Sequence, residues 1–140
     1  MEFLEKGIDY VRNKALEIKR DPKWSDVAFK DKKTFEERKT ESERIMIKYP
    51  NRVPVVCERA TTDAPKIDRS KYLVPVDITM GEFMFIIRKR LKLPPEESIY
   101  LFVGNDAMAP VASLISQVYD KHHDTDGFLY VKYSKESTFG

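Results

Sequence analysis

At 140 residues and 41% hydrophobic content the chain can bury one core, and 25 Lys+Arg against 23 Asp+Glu leave a formal charge of only +2. That near-balance argues against nucleic acid as a main partner, because phosphate binding draws on a concentrated basic excess. The single cysteine, Cys57, excludes an internal disulfide framework and a multi-cysteine metal site, and suits a reducing, cytoplasmic compartment. No apolar run approaches the roughly 18–20 residues of a membrane span, and the N-terminus is too charged for a secretory signal. A membrane role therefore has to come from a surface helix, a partner or a covalent lipid.

Residues 2–20 place Leu4, Ile8, Val11, Ala15 and Ile18 at helical spacing among charged residues, which predicts an amphipathic helix. Asp21-Pro22 breaks it, and residues 21–33 lack periodicity and read as a linker with embedded aromatics. Thr34-Phe35-Glu36-Glu37 has the capping-box form and opens a helix to about Lys48, anchored by Phe35, Ile45 and Met46. Tyr49-Pro50-Asn51 turns the chain into a strand over 53–58. A loop over 60–70 leads to a second strand, Lys71-Tyr72-Leu73-Val74, stopped by Pro75. Two strands joined by so short a loop are expected to be antiparallel neighbours.

A second capping box, Thr79-Met80-Gly81-Glu82, starts the helix around which the chain is organised. Met80, Phe83, Met84, Ile87 and Leu91 form its core-facing stripe, while Phe85 and Ile86 fall off it, so a second apolar side needs cover or a ligand. Arg88-Lys89-Arg90 suits the negative end of the helix dipole, and Leu93-Pro94-Pro95 ends the helix. A strand over 99–103, a turn at 104–106, a short helix over 111–119, a polar loop over 122–127 and a strand over 128–133 follow; the tail 134–140 is polar. From residue 50 the order is β-β-α-β-α-β. This is an α+β pattern that fits a ubiquitin-like roll, although ferredoxin-like folds share parts of it.

The residues themselves offer little catalytic chemistry. A lone strand Cys57 reads as a small buried hydrophobe. The adjacent His122-His123 diverge, with no carboxylate or thiol spaced for zinc. The chain is thus expected not to be an enzyme and to hold no metal or cofactor. The strand at 71–74 offers edge hydrogen bonds beside apolar side chains, which is what β-augmentation by a peptide needs.

Specific motifs carry a resemblance: Phe35-Glu36 with Arg38, Lys48-Tyr49-Pro50-Asn51-Arg52-Val53-Pro54-Val55, Lys71 to Pro75, Gly81 with Phe83, Ile87 to Arg90, His122-His123, Asp126 to Tyr130, and Gly140. Over about residues 25–140 the chain resembles the autophagy ubiquitin-like modifiers, the GABARAP branch in particular. The resemblance implies a ubiquitin-like β-grasp domain with additional N-terminal helices, preceded by an atypical extension over 1–24. It implies activation of Gly140 by the conjugating enzymes of the autophagy cascade, and transfer to phosphatidylethanolamine on autophagosome membranes. It also implies a groove for W/F/Y-x-x-L/I/V motifs of cargo receptors and adaptors. Glu41, Ile45, Pro54, Lys71, Leu73 and Phe128 align with the aromatic pocket of that groove. Tyr72, Val74, Pro75, Ile78, Phe83 and Ile86 align with the aliphatic pocket. Arg52, Arg69 and Arg90 match positions that meet acidic residues flanking the peptide. The loop over 60–70 is about one residue shorter than is usual in the family, and Ser70 stands where Lys is common. The alternative is a non-conjugated ubiquitin-like adaptor that binds partners through its N-terminal helix and the groove. Within the extension, Trp24-Ser25-Asp26-Val27 is itself a W-x-x-V motif, an expected route to self-association through residues 1–27.

Overall fold

The computed structural model describes residues 27–104 and 107–135. The predicted helix over 2–20, Trp24 and Gly140 lie outside the described residues. The elements are α1 (Phe29–Lys32), α2 (Phe35–Lys48), β1 (Arg52–Arg59), β2 (Lys71–Pro75), α3 (Met80–Leu91), β3 (Ile99–Val103), β4 (Ala107–Met108), α4 (Ile115–His122) and β5 (Leu129–Lys135). The strands form one mixed sheet in the order β2-β1-β5-β3-β4. β1 and β2 pair antiparallel as expected, with Val55 opposite Tyr72 and Val53 opposite Val74. β1 and β5 run parallel at the centre, with Val56 opposite Tyr130. β3 pairs antiparallel with β5, placing Leu101 opposite Tyr133. This is the ubiquitin-like roll.

Strand alternation sorts the side chains between two faces. Val53, Val55 and Cys57 of β1, Tyr72 and Val74 of β2, and Leu129, Val131 and Tyr133 of β5 face α3 and form the main core with Met80, Phe83 and Ile87. Val56, Leu73, Phe128, Phe29 and Ile45 form a smaller cluster on the opposite face, under α1 and α2. The stripe read from α3 holds in its centre: Met80, Phe83 and Ile87 are buried, whereas Phe85 is 60% exposed.

Both capping boxes form. Thr34 accepts from the Glu37 amide and Glu37 accepts from the Thr34 amide; Thr79 and Glu82 do the same for α3. Two readings need correction. Residues 29–32 are a turn of helix, not linker, because Phe29 is buried against Phe128 and its amide donates to Glu58 Oε2 at 2.8 Å. The helix expected over 111–119 begins at Ile115. The carbonyls of Val111 and Ser113 instead accept the Gly81 and Met80 amides, so that stretch serves as a backbone cap for α3. The short strand β4 carried no periodic signal.

The loop into β5 is pinned to α2. The buried Asp126 carboxylate accepts from Arg38 at 2.5 Å, from the Tyr130 hydroxyl and from the Phe128 amide. Ser42 Oγ donates to the Asp126 carbonyl at 2.6 Å. Gly127 follows with φ 91°, and a Cβ there would collide with Ser42.

Candidate functional site

β2 is a terminal strand of the sheet, and no described strand pairs with its outer side. Its hydrogen-bond phase follows from Pro54, which lacks an N–H and stands opposite Leu73. The Cys57 amide donates to the Ser70 carbonyl at 2.7 Å, and the Val76 amide to the Asn51 carbonyl at 3.1 Å. Exchanging pairs recur every second residue in an antiparallel ladder. Ser70, Tyr72, Val74 and Val76 therefore turn their backbone groups toward β1. The N–H and C=O of Lys71 and Leu73 point outward, with the Pro75 carbonyl beyond them.

The structure brings the sequence-predicted residues to the two flanks of this open edge. On the α2 side, Ile45, Leu73 and Phe128 are buried together, and buried Pro54 faces the same way by strand alternation. Lys71 Nζ donates to Glu41 Oε2 at 2.8 Å, with side-chain exposures of 14% and 16%, and so ties β2 to α2 beside this cluster. A concavity of about 540 Å³ adjoins the pair, lined by Glu37, Thr40, Glu41, Arg44 and Lys71 among others. On the α3 side, Tyr72, Val74, Ile78 and Phe83 are buried, with Ile86 partly buried against them. The Tyr72 and Phe83 rings meet edge to face at 5.6 Å. Pro75 is half-buried at the end of the strand.

Most pocket positions are therefore also core. Phe29 was missed as part of this site: it packs on Phe128 at 5.0 Å and lies under Lys71 Nζ at 5.2 Å. Its only local signal was an isolated aromatic in an aperiodic stretch.

The three arginines divide. Arg90 Nη2 donates to both carboxylate oxygens of Asp68 at 2.9 Å, on the surface, and Arg52 is half-buried at the start of β1. Arg69 is 1% exposed, and its charge acts on the buried Tyr72 phenol. Burial pushes the Tyr72 phenol well up, and burial does the same to the Cys57 thiol, with Glu58 adding to it. Among the described residues no group of three His, Cys, Asp or Glu could hold a metal ion, and no helix is long and apolar enough to cross a membrane.

A mixed sheet wrapped around α3, with a terminal strand that no described strand covers and an apolar cluster on each face, is the architecture of a ubiquitin-like module. The family model described as "Autophagy protein Atg8 ubiquitin like" matches residues 37–140. Autophagy-related protein 8 of Candida glabrata is 58% identical over 114 residues, covering 81% of this chain and 96% of that protein. Autophagy-related protein 8 of Saccharomyces cerevisiae is 56% identical over 113 residues, covering 80% and 96%. The crystal structure of Trypanosoma brucei ATG8 superposes with a TM-score of 0.75 at 39% identity, covering 82% of this chain and 99% of that one. The chain belongs to the Atg8 family of ubiquitin-like autophagy proteins.

Proposed function

We propose that this chain is a ubiquitin-like modifier conjugated through Gly140 to phosphatidylethanolamine, and that it docks cargo receptors and adaptors on the open edge of β2, with no catalysis of its own. The outward-facing backbone groups of Lys71 and Leu73, flanked by one apolar cluster on each face, carry the docking half. An extended W/F/Y-x-x-L/I/V peptide pairs with those groups, and its two anchors fall on opposite flanks. The aromatic anchor displaces the Glu41–Lys71 pair and rests on Ile45, Pro54, Leu73 and Phe128. The aliphatic anchor rests on Tyr72, Val74, Pro75, Ile78, Phe83 and Ile86. Acidic flanks compete with Asp68 for Arg90, and Arg52 lies near the other end of the strand pair. Seating two anchors at about 1.5–3 kcal/mol each, with strand pairing and less the cost of association, gives a Kd near micromolar, about −8 kcal/mol.

The conjugation half rests on family membership and on carboxylate chemistry. A terminal glycine has no Cβ to obstruct a narrow active site. Once ATP has converted its carboxylate to an acyl adenylate with loss of pyrophosphate, an enzyme thiol displaces AMP, and the lipid amine then displaces that thiol to leave an amide. Conjugation would hold the cytoplasmic domain on the autophagosome membrane. Burial that raises the Cys57 thiol argues against the one cysteine as a nucleophile.

Two measurements test the proposal. On adding a W-x-x-L peptide, the Lys71 and Leu73 amides are expected to gain protection from hydrogen exchange while the Tyr72 amide, already facing β1, changes little. Protection elsewhere, with Lys71 and Leu73 unaffected, removes docking from this edge. Intact mass after incubation with the cascade enzymes, ATP and phosphatidylethanolamine vesicles should show the lipid adduct on the wild type and none on Gly140→Ala. An adduct on the variant removes Gly140 as the required attachment point, and none on the wild type favours the non-conjugated adaptor.

A further inference from the structure

A second concavity, of about 480 Å³, lies away from the open edge of β2, at the end of β1 against the 60–70 loop and the residues just before α1. Cys57, Ile67 and Tyr133, all buried, line its interior. Val27 and Ala28, both exposed, form one wall. Nothing in the peptide-docking reading uses this space, yet it falls within the roughly 300–1,000 Å³ typical of cavities that take a ligand-sized group.

We infer that this cavity seats the chain's own segment 21–26, Asp-Pro-Lys-Trp-Ser-Asp, with the Trp24 indole as its anchor. The tether carries the argument. Trp24 precedes Val27 by three residues, and three residues of extended chain span at most about 11 Å. The indole is thereby confined to the neighbourhood of the cavity wall, at an effective concentration no separate ligand matches. The chemistry agrees. Trp24 is the only tryptophan in the chain. An apolar interior against Ile67 and Tyr133, with the polar Thr61 and Thr62 also on the lining, suits a ring whose N–H seeks a partner when buried.

Charge agrees as well. Lys32, Arg59, Lys66 and Lys132 outnumber Glu58 and Asp68 around the cavity. Asp21 and Asp26 flank Trp24, with Lys23 the one cation in the segment. The competing occupant of Trp24 is the β2 edge of a second copy, through Trp24-x-x-Val27. That mode has to pull Val27 off the wall where it now stands.

The single tryptophan makes the test direct on the full chain. Trp24 emission is expected to be blue-shifted from that of the free peptide Asp-Pro-Lys-Trp-Ser-Asp. Its quenching by acrylamide should be several-fold weaker, unchanged across a wide dilution series and unaffected by a W-x-x-L peptide. The charge reversals Lys66→Glu with Lys132→Glu, both at exposed positions, and separately Ala28→Asp on the wall, are expected to move emission and quenching toward the free peptide. Far-ultraviolet circular dichroism and the melting midpoint verify that the variants remain folded. Quenching as fast as the free peptide overturns the inference. So does protection that vanishes on dilution or is competed by the W-x-x-L peptide, which assigns Trp24 to the edge of another molecule. Protection indifferent to both variants overturns it too, since the indole then packs elsewhere.

Discussion

Two apolar clusters meet at β2, one on each face, and they differ in what closes them. The larger is sealed by whole elements: α3 lies across it, α4 adds Ile115, Val118 and Tyr119, and β1, β3 and β5 line it. The smaller holds Phe29, Ile45, Val56, Leu73 and Phe128 under α2 and the four-residue α1, with the Glu41–Lys71 ion pair beside it. Local opening costs less where fewer buried contacts must break. The difference teaches that fold and adaptability are assigned to opposite faces of one strand. Tyr72 and Val74 point into the larger cluster, while Leu73, with Lys71 beside it, belongs to the smaller one, where opening is expected to cost less.

Truncating an aromatic in each cluster is the most forceful way to break that contrast. Phe83→Ala, at a fully buried position packed on Tyr72, is expected to cost about 3–5 kcal/mol. Phe128→Ala should fall at or below the low end of that range, because α1 can follow the vacated space. Urea titration of both variants decides it, and equal losses erase the distinction between the clusters.

The anchor that holds the smaller cluster in register comes next. Asp126→Ala leaves Arg38 without its buried carboxylate and removes the acceptor for the Tyr130 hydroxyl and the Phe128 amide. Breaking a buried pair of this kind costs about 3 kcal/mol. Because these partners sit on α2 and the start of β5, hydrogen exchange should speed up around Phe128 more than around Phe83. A uniform increase through α3 contradicts the separation.

The larger cluster was the more legible of the two in the sequence, for a physical reason. Its helix carries a continuous stripe over several turns with a capping box at Thr79, and its strands are apolar runs, so period and length sufficed. The box at Thr34 and the antiparallel pairing of β1 with β2 were equally local and equally visible. What stayed hidden depends on distant partners. Phe29 becomes helical only because Phe128 and Glu58 receive it. Residues 111–114 look helical but give their carbonyls to the start of α3. Arg69 is charged and still buried, against the default for its type. The assignment of groove positions came from family resemblance and not from the pattern of the residues. Strand alternation already puts adjacent Tyr72 and Leu73 on opposite faces, but it does not say which elements cover each face.

Binding is expected to separate the clusters more finely than stability does. Leu73→Ala should weaken a W-x-x-L peptide about tenfold, or about 1.4 kcal/mol. Ile87→Ala, buried in the larger cluster away from the edge, should lower stability by about 2–5 kcal/mol and leave the Kd unchanged under folding conditions. Calorimetry on both variants distinguishes the faces; a Kd that responds to Ile87 as strongly as to Leu73 shows that the two clusters open together.

The smallest expected effect uses the two caps, which repeat one motif on opposite faces. Losing the Thr side chain costs about 1 kcal/mol at a typical N-cap. α3 has further support at its start, since the Met80 and Gly81 amides donate to Ser113 and Val111. Thr34→Ala should therefore fray the first turn of α2 more than Thr79→Ala frays that of α3. The acid limb offers a second handle. Chiefly through its hydrogen bond from the Thr34 amide, the Glu37 carboxyl titrates below its ordinary value. A carboxyl depressed in the folded state stabilises fully above its unfolded pKa of about 4.3 and loses that contribution as pH falls through the folded pKa. Glu37→Gln keeps an acceptor for the Thr34 amide but cannot titrate. The variant should be slightly less stable than the wild type at neutral pH, and the gap should close once the pH drops below the folded pKa of Glu37. Denaturation midpoints of the pair measured from neutral pH into acid check the sign. A gap that widens toward acid means that the Glu37 carboxylate is better accommodated in the unfolded chain than at the start of α2.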